Sequence, residues 1–97
     1  MIRHIVFFRA RHREDVGAVL EGLSILKTIP HASLLEVTLN GRIDQLGNDV
    51  DVVVYGEFAD ASALAAYKAH PTYQASIDRV RPLRDLRHAA DYEVGDV

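Results

Sequence analysis

The sequence predicts an α+β domain of order β-α-β-β-α-α-β, the split βαβ or ferredoxin-like arrangement with its second helix broken in two. Three observations predict it. The stretches 3–9 and 50–58 are rich in Val, Ile and Phe, with apolar residues on both faces of an alternating pattern, as the central strands of a sheet require. Between them, Val16, Val19, Leu20, Leu23 and Leu26 recur at helical spacing. After Phe58, the run A-D-A-S-A-L-A-A-Y-K-A-H-P-T-Y carries the acceptor of a helix start, Asp60, and a proline, Pro71, that ends one helix and suits the first position of the next.

Taken in order, residues 3–9 form the first strand and residues 14–28 the first helix. Glu14 and Asp15 at its start and Lys27 at its end suit the helix dipole, and Pro30 stops it. A second strand follows over 33–40, and Gly41, Gly47 and Asn48 mark a loop up to Asp49. The run V-D-V-V-V-Y-G-E-F over 50–58 is the clearest strand. Helices are expected over 61–69 and from Pro71 to about Arg81, with Pro82 ending the second. Residues 86–94 make the last strand, and Gly95 to Val97 a loose end.

At 97 residues the chain is read as a single domain, 1–97, small enough that a partner subunit would add useful burial. It has no cysteine, which excludes disulfides, thiolate catalysis and thiolate metal sites and fits a cytoplasmic setting. A net charge of −3 gives no reason to expect nucleic acid or an anionic membrane as partner. No export signal or membrane span is visible, because the apolar run Ile5 to Phe8 ends at Arg9.

The period of two sorts the strand faces. His4, Val6 and Phe8, with Val50, Val52, Val54 and Phe58, are expected beneath the helices. An antiparallel register pairing Arg3 with Glu57, Ile5 with Tyr55, Phe7 with Val53 and Arg9 with Asp51 brings opposite charges together at both ends. It also gathers Ile5, Phe7, Val53 and Tyr55 on a face no helix covers. A bare apolar patch of this kind marks an interface, and the simplest cover is the same sheet of a second copy, in a two-fold homodimer.

Candidate chemistry centres on His4, Tyr67, His70 and Tyr73. His4 is either a core histidine or the polar floor of a pocket. Tyr67, His70 and Tyr73 gather at the break before Pro71, as a packed corner or as groups that hold or protonate a small carbonyl compound. His12, His31 and His88 show no metal-ligand spacing, and no dinucleotide, phosphate-loop or nucleophile-elbow motif occurs, so neither metal nor cofactor is expected. Asp51, Glu57, Asp91 and Glu93 are read as solvated or paired strand carboxylates. The arginines at 9, 11 and 13 and at 79, 81, 84 and 87 are read as solvated or ion-paired surface.

The opening R-H-I-V-F-F, the strand D-V-V-V-Y-G-E-F, the run A-L-A-A-Y-K-A-H-P-T-Y and the closing A-D-Y-E resemble the stress-responsive dimeric α/β-barrel family, Dabb, over nearly the whole chain. The resemblance implies a ferredoxin-like subunit and a homodimer with facing sheets. Many members are stress-associated proteins without an assigned reaction. One branch is a plant polyketide cyclase that closes a linear polyketide by aldol condensation without metal or organic cofactor, in a pocket between sheet and helices. His4, Tyr67 and His70 align with polar pocket positions of that enzyme. Its histidine base two residues after the proline is Tyr73 here, and its pocket histidine on the third strand is Val52. A phenol with its usual pKa near ~10 is a poor base at neutral pH, so the resemblance implies a pocket more firmly than it implies cyclisation. Three readings follow: a ligand-binding protein, a cofactor-free enzyme of cyclase or monooxygenase type, and a structural stress protein whose corner is only packing.

Overall fold

A computed structural model describes residues 1–95 of the chain. Four strands form one antiparallel sheet: β1 (Ile2–Ala10), β2 (Leu34–Leu39), β3 (Val52–Phe58) and β4 (Arg84–Glu93), in the order β2-β3-β1-β4. Helices α1 (Val16–Ser24), α2 (Ala61–Ala69) and α3 (Pro71–Val80) pack on one face, which gives the predicted ferredoxin-like α+β fold with β1 and β3 central. The expected loose end at Gly95 to Val97 lies outside any element at Gly95 and outside the described residues beyond it.

The expected 14–28 helix is α-helical only over Val16–Ser24, with 3-10 turns at Arg13–Asp15 and Ile25–Thr28. Its apolar stripe goes inward as the spacing requires: Val19, Leu23 and Leu26 are buried, and Val16 and Leu20 pack beside them. A side chain on Gly22 would come within 2.7 Å of the Val80 side chain, so the missing Cβ sets how closely α1 approaches α3. Ser76 on α3 fixes the same contact by donating to the Gly22 carbonyl at 2.8 Å.

The β1–β3 register is the one the alternation implies, with Arg3 opposite Glu57, Ile5 opposite Tyr55 and Phe7 opposite Val53. The charge pairs at its ends do not form. β3 starts at Val52 rather than at 50, Asp51 accepts from the Ala10 amide at 2.9 Å and pairs with Arg42, and Arg9 reaches across to Asp85 on β4 at 2.8 Å. At the other end Arg3 donates to the Tyr92 hydroxyl at 3.2 Å, while Glu57 accepts from Tyr55 at 2.6 Å. Long arginine side chains thus choose partners on the edge strand β4, a competitor the two-strand register leaves out.

The core lies between the sheet and the helices. Val6, Phe8, Val52, Val54 and Phe58 supply its floor, and Tyr67 and Val80 its roof. Burying each large apolar side chain contributes about 1.5–3 kcal/mol. Val50, expected on that floor, lies before β3 and is only half-buried. The opposite face carries Ile5, Phe7, Val53 and Tyr55 as expected, with Phe7 36% exposed and the other three half-buried, and no helix above them.

Candidate functional site

Each wall of the site follows from a local feature of the sequence. Alternation along β1 turns His4 inward with Val6 and Phe8, and His4 is 1% exposed. Its strand partner on β3 is Gly56, where a Cβ would meet the Phe58 ring at 2.8 Å. The missing side chain lets that ring lean over, and Phe58 then touches both aromatic neighbours: its centroid is 6.3 Å from His4 and 5.0 Å from Tyr67. Asp60 caps α2 by accepting from the Ala63 amide at 2.8 Å, and the helix carries Tyr67 over the sheet in its last turn.

Between this floor and α3 lies a cavity of about 170 Å³. His4, Tyr67 and Tyr73 line it, with Val6, Phe8, Leu23, Leu26 and Val54 as apolar wall and Ser76 on α3. Tyr67 stands edge-on to His4 with centroids 6.2 Å apart and edge-on to Tyr73 at 5.3 Å. His70 is not among the lining residues. Its backbone turns to an extended conformation before Pro71, and its Nδ1 accepts from the Thr72 amide at 3.1 Å, capping α3. The four candidate residues therefore separate into three on the cavity wall and one that holds the break together. The cause is Pro71, which takes His70 out of helical geometry and turns its side chain to the start of the next helix.

His4 has a partner the sequence did not single out. Its Nδ1 lies 2.5 Å from Asp91 Oδ1 on β4, the residue directly opposite it in the β1–β4 ladder. A carboxylate accepts, so Nδ1 carries the proton, which leaves Nε2 as an acceptor on the ring that lines the cavity. Burial holds the His4 imidazole below its ordinary 6.5, against the opposing pull of Asp91, with Lys68 and Arg87 adding to the decrease. The ring is therefore neutral at pH 7. Burial raises the Tyr67 phenol well above its ordinary 10, with a further push from Tyr73 and a small offset from Arg87. Tyr67 is thus a hydrogen-bond donor throughout the physiological range, and its hydroxyl makes no hydrogen bond among the described residues. A neutral imidazole beside a carboxylate can take a proton, and a phenol in the same cavity can hold a carbonyl oxygen.

Beside Ile77 and Val80, three charged residues also line it: Arg81, Arg84 and Arg87, at the end of α3 and the start of β4. They were expected to be ordinary surface. The β1–β4 register, which places both Asp91 opposite His4 and Arg87 opposite Phe8, is the signal that would have found them. Among the described residues, no group of three or more His, Asp or Glu side chains is gathered closely enough to hold a metal ion.

Residues 2–94 match the model of the family described as the stress responsive A/B barrel domain, Dabb. The chain is similar in structure to a Dabb family protein with a ferredoxin-like fold from Mesorhizobium loti, at 27% identity and a TM-score of 0.80, over 98% of this chain and 97% of that one. It is also similar to a dimeric ferredoxin-like protein of unknown function from Thermobifida fusca, at 26% identity and a TM-score of 0.79, over 96% and 90% of the two chains. An antibiotic biosynthesis monooxygenase shares the fold at 15% identity and a TM-score of 0.76, over 99% of this chain and 100% of that one. Among curated proteins none matches the chain.

Proposed function

The chain belongs to the stress responsive A/B barrel family, and from that premise we propose that it is a single-domain, homodimeric ligand-binding protein that takes a small aromatic or carbonyl compound between its sheet and its helices. One observation carries the reading: a cavity of about 170 Å³ with His4, Tyr67 and Tyr73 on its wall and apolar residues beneath. The cavity opens at the surface, and polar rings converge on it over an apolar wall, the arrangement of a small-molecule site. Dimerisation uses the open face of Ile5, Phe7, Val53 and Tyr55, in keeping with the dimeric state of the Thermobifida relative. A cytoplasmic setting, expected from the lack of cysteine, belongs to the same reading.

A second reading rests on the 2.5 Å contact between His4 and Asp91. With that pair as base, His4 Nε2 would take a proton from a carbon next to a carbonyl, and the Tyr67 hydroxyl would donate to the carbonyl oxygen as it gains negative charge. This places the base on β1 and not at Tyr73, where the cyclase has its histidine.

Thermal-shift screening of aromatic and carbonyl compounds, followed by calorimetric titration, tests the binding reading. Tyr67→Phe is expected to weaken any compound whose carbonyl it holds. Binding unchanged by Tyr67→Phe and by His4→Gln would put the ligand elsewhere, and no binding across the set would leave the structural reading standing. For catalysis, His4→Gln and Asp91→Asn are expected to abolish exchange of a bound ketone's α-protons into deuterated water, measured by NMR.

A further inference from the structure

The start of β4 contains a local irregularity with a chemical consequence. The β1–β4 register runs without interruption from Ile2 opposite Glu93 to Arg9 opposite Leu86, and then slips, so that Ala10 faces Arg84 and Asp85 is left over. An unbroken ladder would set Asp85 opposite Ala10, on the cavity side of the sheet, and turn Arg84 away. The bulge exchanges them. Arg84 joins Arg87 on the cavity side, while Asp85 goes to the other face and pairs with Arg9 at 2.8 Å. Re-aiming a side chain at a site is a recurrent use of a β-bulge.

The result is a cavity mouth with three guanidinium groups and no counter-charge. Among the described residues, Arg81, Arg84 and Arg87 form no ion pair, although the chain as a whole has a net charge of −3. Asp91, the carboxylate bound to His4, does not line the cavity. Burial, and after it the neighbouring Arg87, Arg81 and Arg11, hold the Arg84 guanidinium below its ordinary value. Arg84 and Arg87 stand opposite Ala10 and Phe8, on the face away from Ile5 and Phe7, so a partner subunit on the open face leaves them free.

Behind the mouth the wall is apolar and of ring size. The cavity measures about 170 Å³, close to the roughly 150 Å³ engineered apolar cavity that takes up benzene. Forked guanidinium donors match the oxygens of a carboxylate or a phosphate. We propose that the ligand is a single-ring organic anion, with its ring against Val6, Phe8 and Tyr67 and its carboxylate or phosphate held by Arg81, Arg84 and Arg87. The proposal rests on the binding reading above and names the charge of what is bound.

The test is a calorimetric titration of the full chain with benzoate, phenyl phosphate, the neutral isostere benzamide and inorganic phosphate. Benzoate or phenyl phosphate is expected to bind at least tenfold more tightly than both benzamide and inorganic phosphate, and whichever of the two binds better identifies the head group. Arg84→Gln and Arg87→Gln are each expected to weaken that anion three- to tenfold and leave benzamide unchanged, while Arg79→Gln, outside the cavity, changes neither. Benzamide binding as well as benzoate and phenyl phosphate would overturn the anion assignment and leave the cavity reading intact. Inorganic phosphate binding as well as phenyl phosphate would overturn the placement of the ring. No binding by any of the ring compounds would overturn the proposal together with the reading on which it rests. Arg84→Lys, which keeps the charge, separates a folding defect from lost recognition: it is expected to retain most of the anion affinity, and losing it as fully as Arg84→Gln while circular dichroism stays native would show that charge is not what is read.

Discussion

The two faces of β1 and β3 share one backbone and similar apolar content, yet they have opposite roles. On the helix side Val6, Phe8, Val52 and Val54 are buried beneath the helices, and the two polar rings there, His4 and Tyr67, are each 1% exposed. On the other side Ile5, Phe7, Val53 and Tyr55 have the same alternation and no cover within the subunit. What distinguishes the faces is what the rest of the chain places above each one. A buried face within one subunit is fixed at any protein concentration, whereas a face that waits for a second copy is covered only as far as mass action allows. Substitutions on the two sides therefore should fail in different ways.

Tyr67→Ala should have the largest effect. It removes a fully buried aromatic side chain that touches His4, Phe58 and Tyr73, and large-to-small changes of that kind cost about 3–5 kcal/mol. The loss is expected in urea unfolding at every protein concentration. A loss below about 1 kcal/mol would mean that the roof of the cavity is not packed as described, and the contrast between the faces would go with it.

Phe7→Glu tests the other face. The side chain is 36% exposed in the subunit, so the isolated fold should tolerate the charge, while a central apolar contact between two sheets should not. Sedimentation equilibrium is expected to show the dimer's dissociation constant raised roughly 30-fold or more, the equivalent of about 2 kcal/mol at an interface anchor. Unfolding should then lose its dependence on protein concentration, with circular dichroism native. An unchanged mass would move the interface off this face.

On the cavity side acid acts through His4. Burial holds folded His4 below its ordinary 6.5, against the pull of Asp91. As pH falls below about 6.5 the unfolded chain takes up a proton there that the folded chain refuses, so ∂ΔG/∂pH is positive and stability declines until the folded value is passed. Above about 6.5 the contribution is fully present. His4→Gln cannot titrate, and its unfolding free energy is expected to fall less than that of the parent chain between pH 7.5 and 5. A steeper fall for the variant would mean that Asp91 and not burial governs the ring.

These contrasts also show how far the sequence could be read. The strand faces were legible because a period of two leaves no choice, and the β1–β3 register followed because Arg3, Ile5 and Phe7 each found a matching partner. The fourth strand was far less legible. Its residues R-D-L-R-H-A-A-D-Y-E alternate weakly, all but two of them are exposed, and the bulge at Asp85 reverses the side to which its first residue points. Three polar groups of the site, Asp91, Arg84 and Arg87, come from that strand. Pattern reasoning recovers a site's apolar frame and the residues that share its strands. It loses those that an edge strand contributes through an irregular pairing, where no local signal fixes the register. Arg9 illustrates the same limit from the other side, since its expected partner Asp51 was taken by the Ala10 amide and Arg42.

His70 gives the smallest effect and the finest division between corner and cavity. Its neighbours in sequence, Tyr67 and Tyr73, line the cavity, and it alone of the three does not. Its Nδ1 satisfies the Thr72 amide, one of the first-turn donors of α3 that have no partner within the helix. Replacing a side chain that caps a helix start usually costs about 0.5–2 kcal/mol, and a half-buried imidazole at 3.1 Å belongs in the lower part of that range. His70→Ala is therefore expected to lower stability by about 1 kcal/mol, and His70→Asn to restore most of it, because an Asn side chain offers an oxygen in the same place. Neither should change the affinity of a ligand that Tyr67→Phe weakens. If His70→Ala removes binding while His70→Asn keeps the fold and not the ligand, the imidazole itself reaches the bound molecule, and the break at Pro71 is part of the site and not its frame.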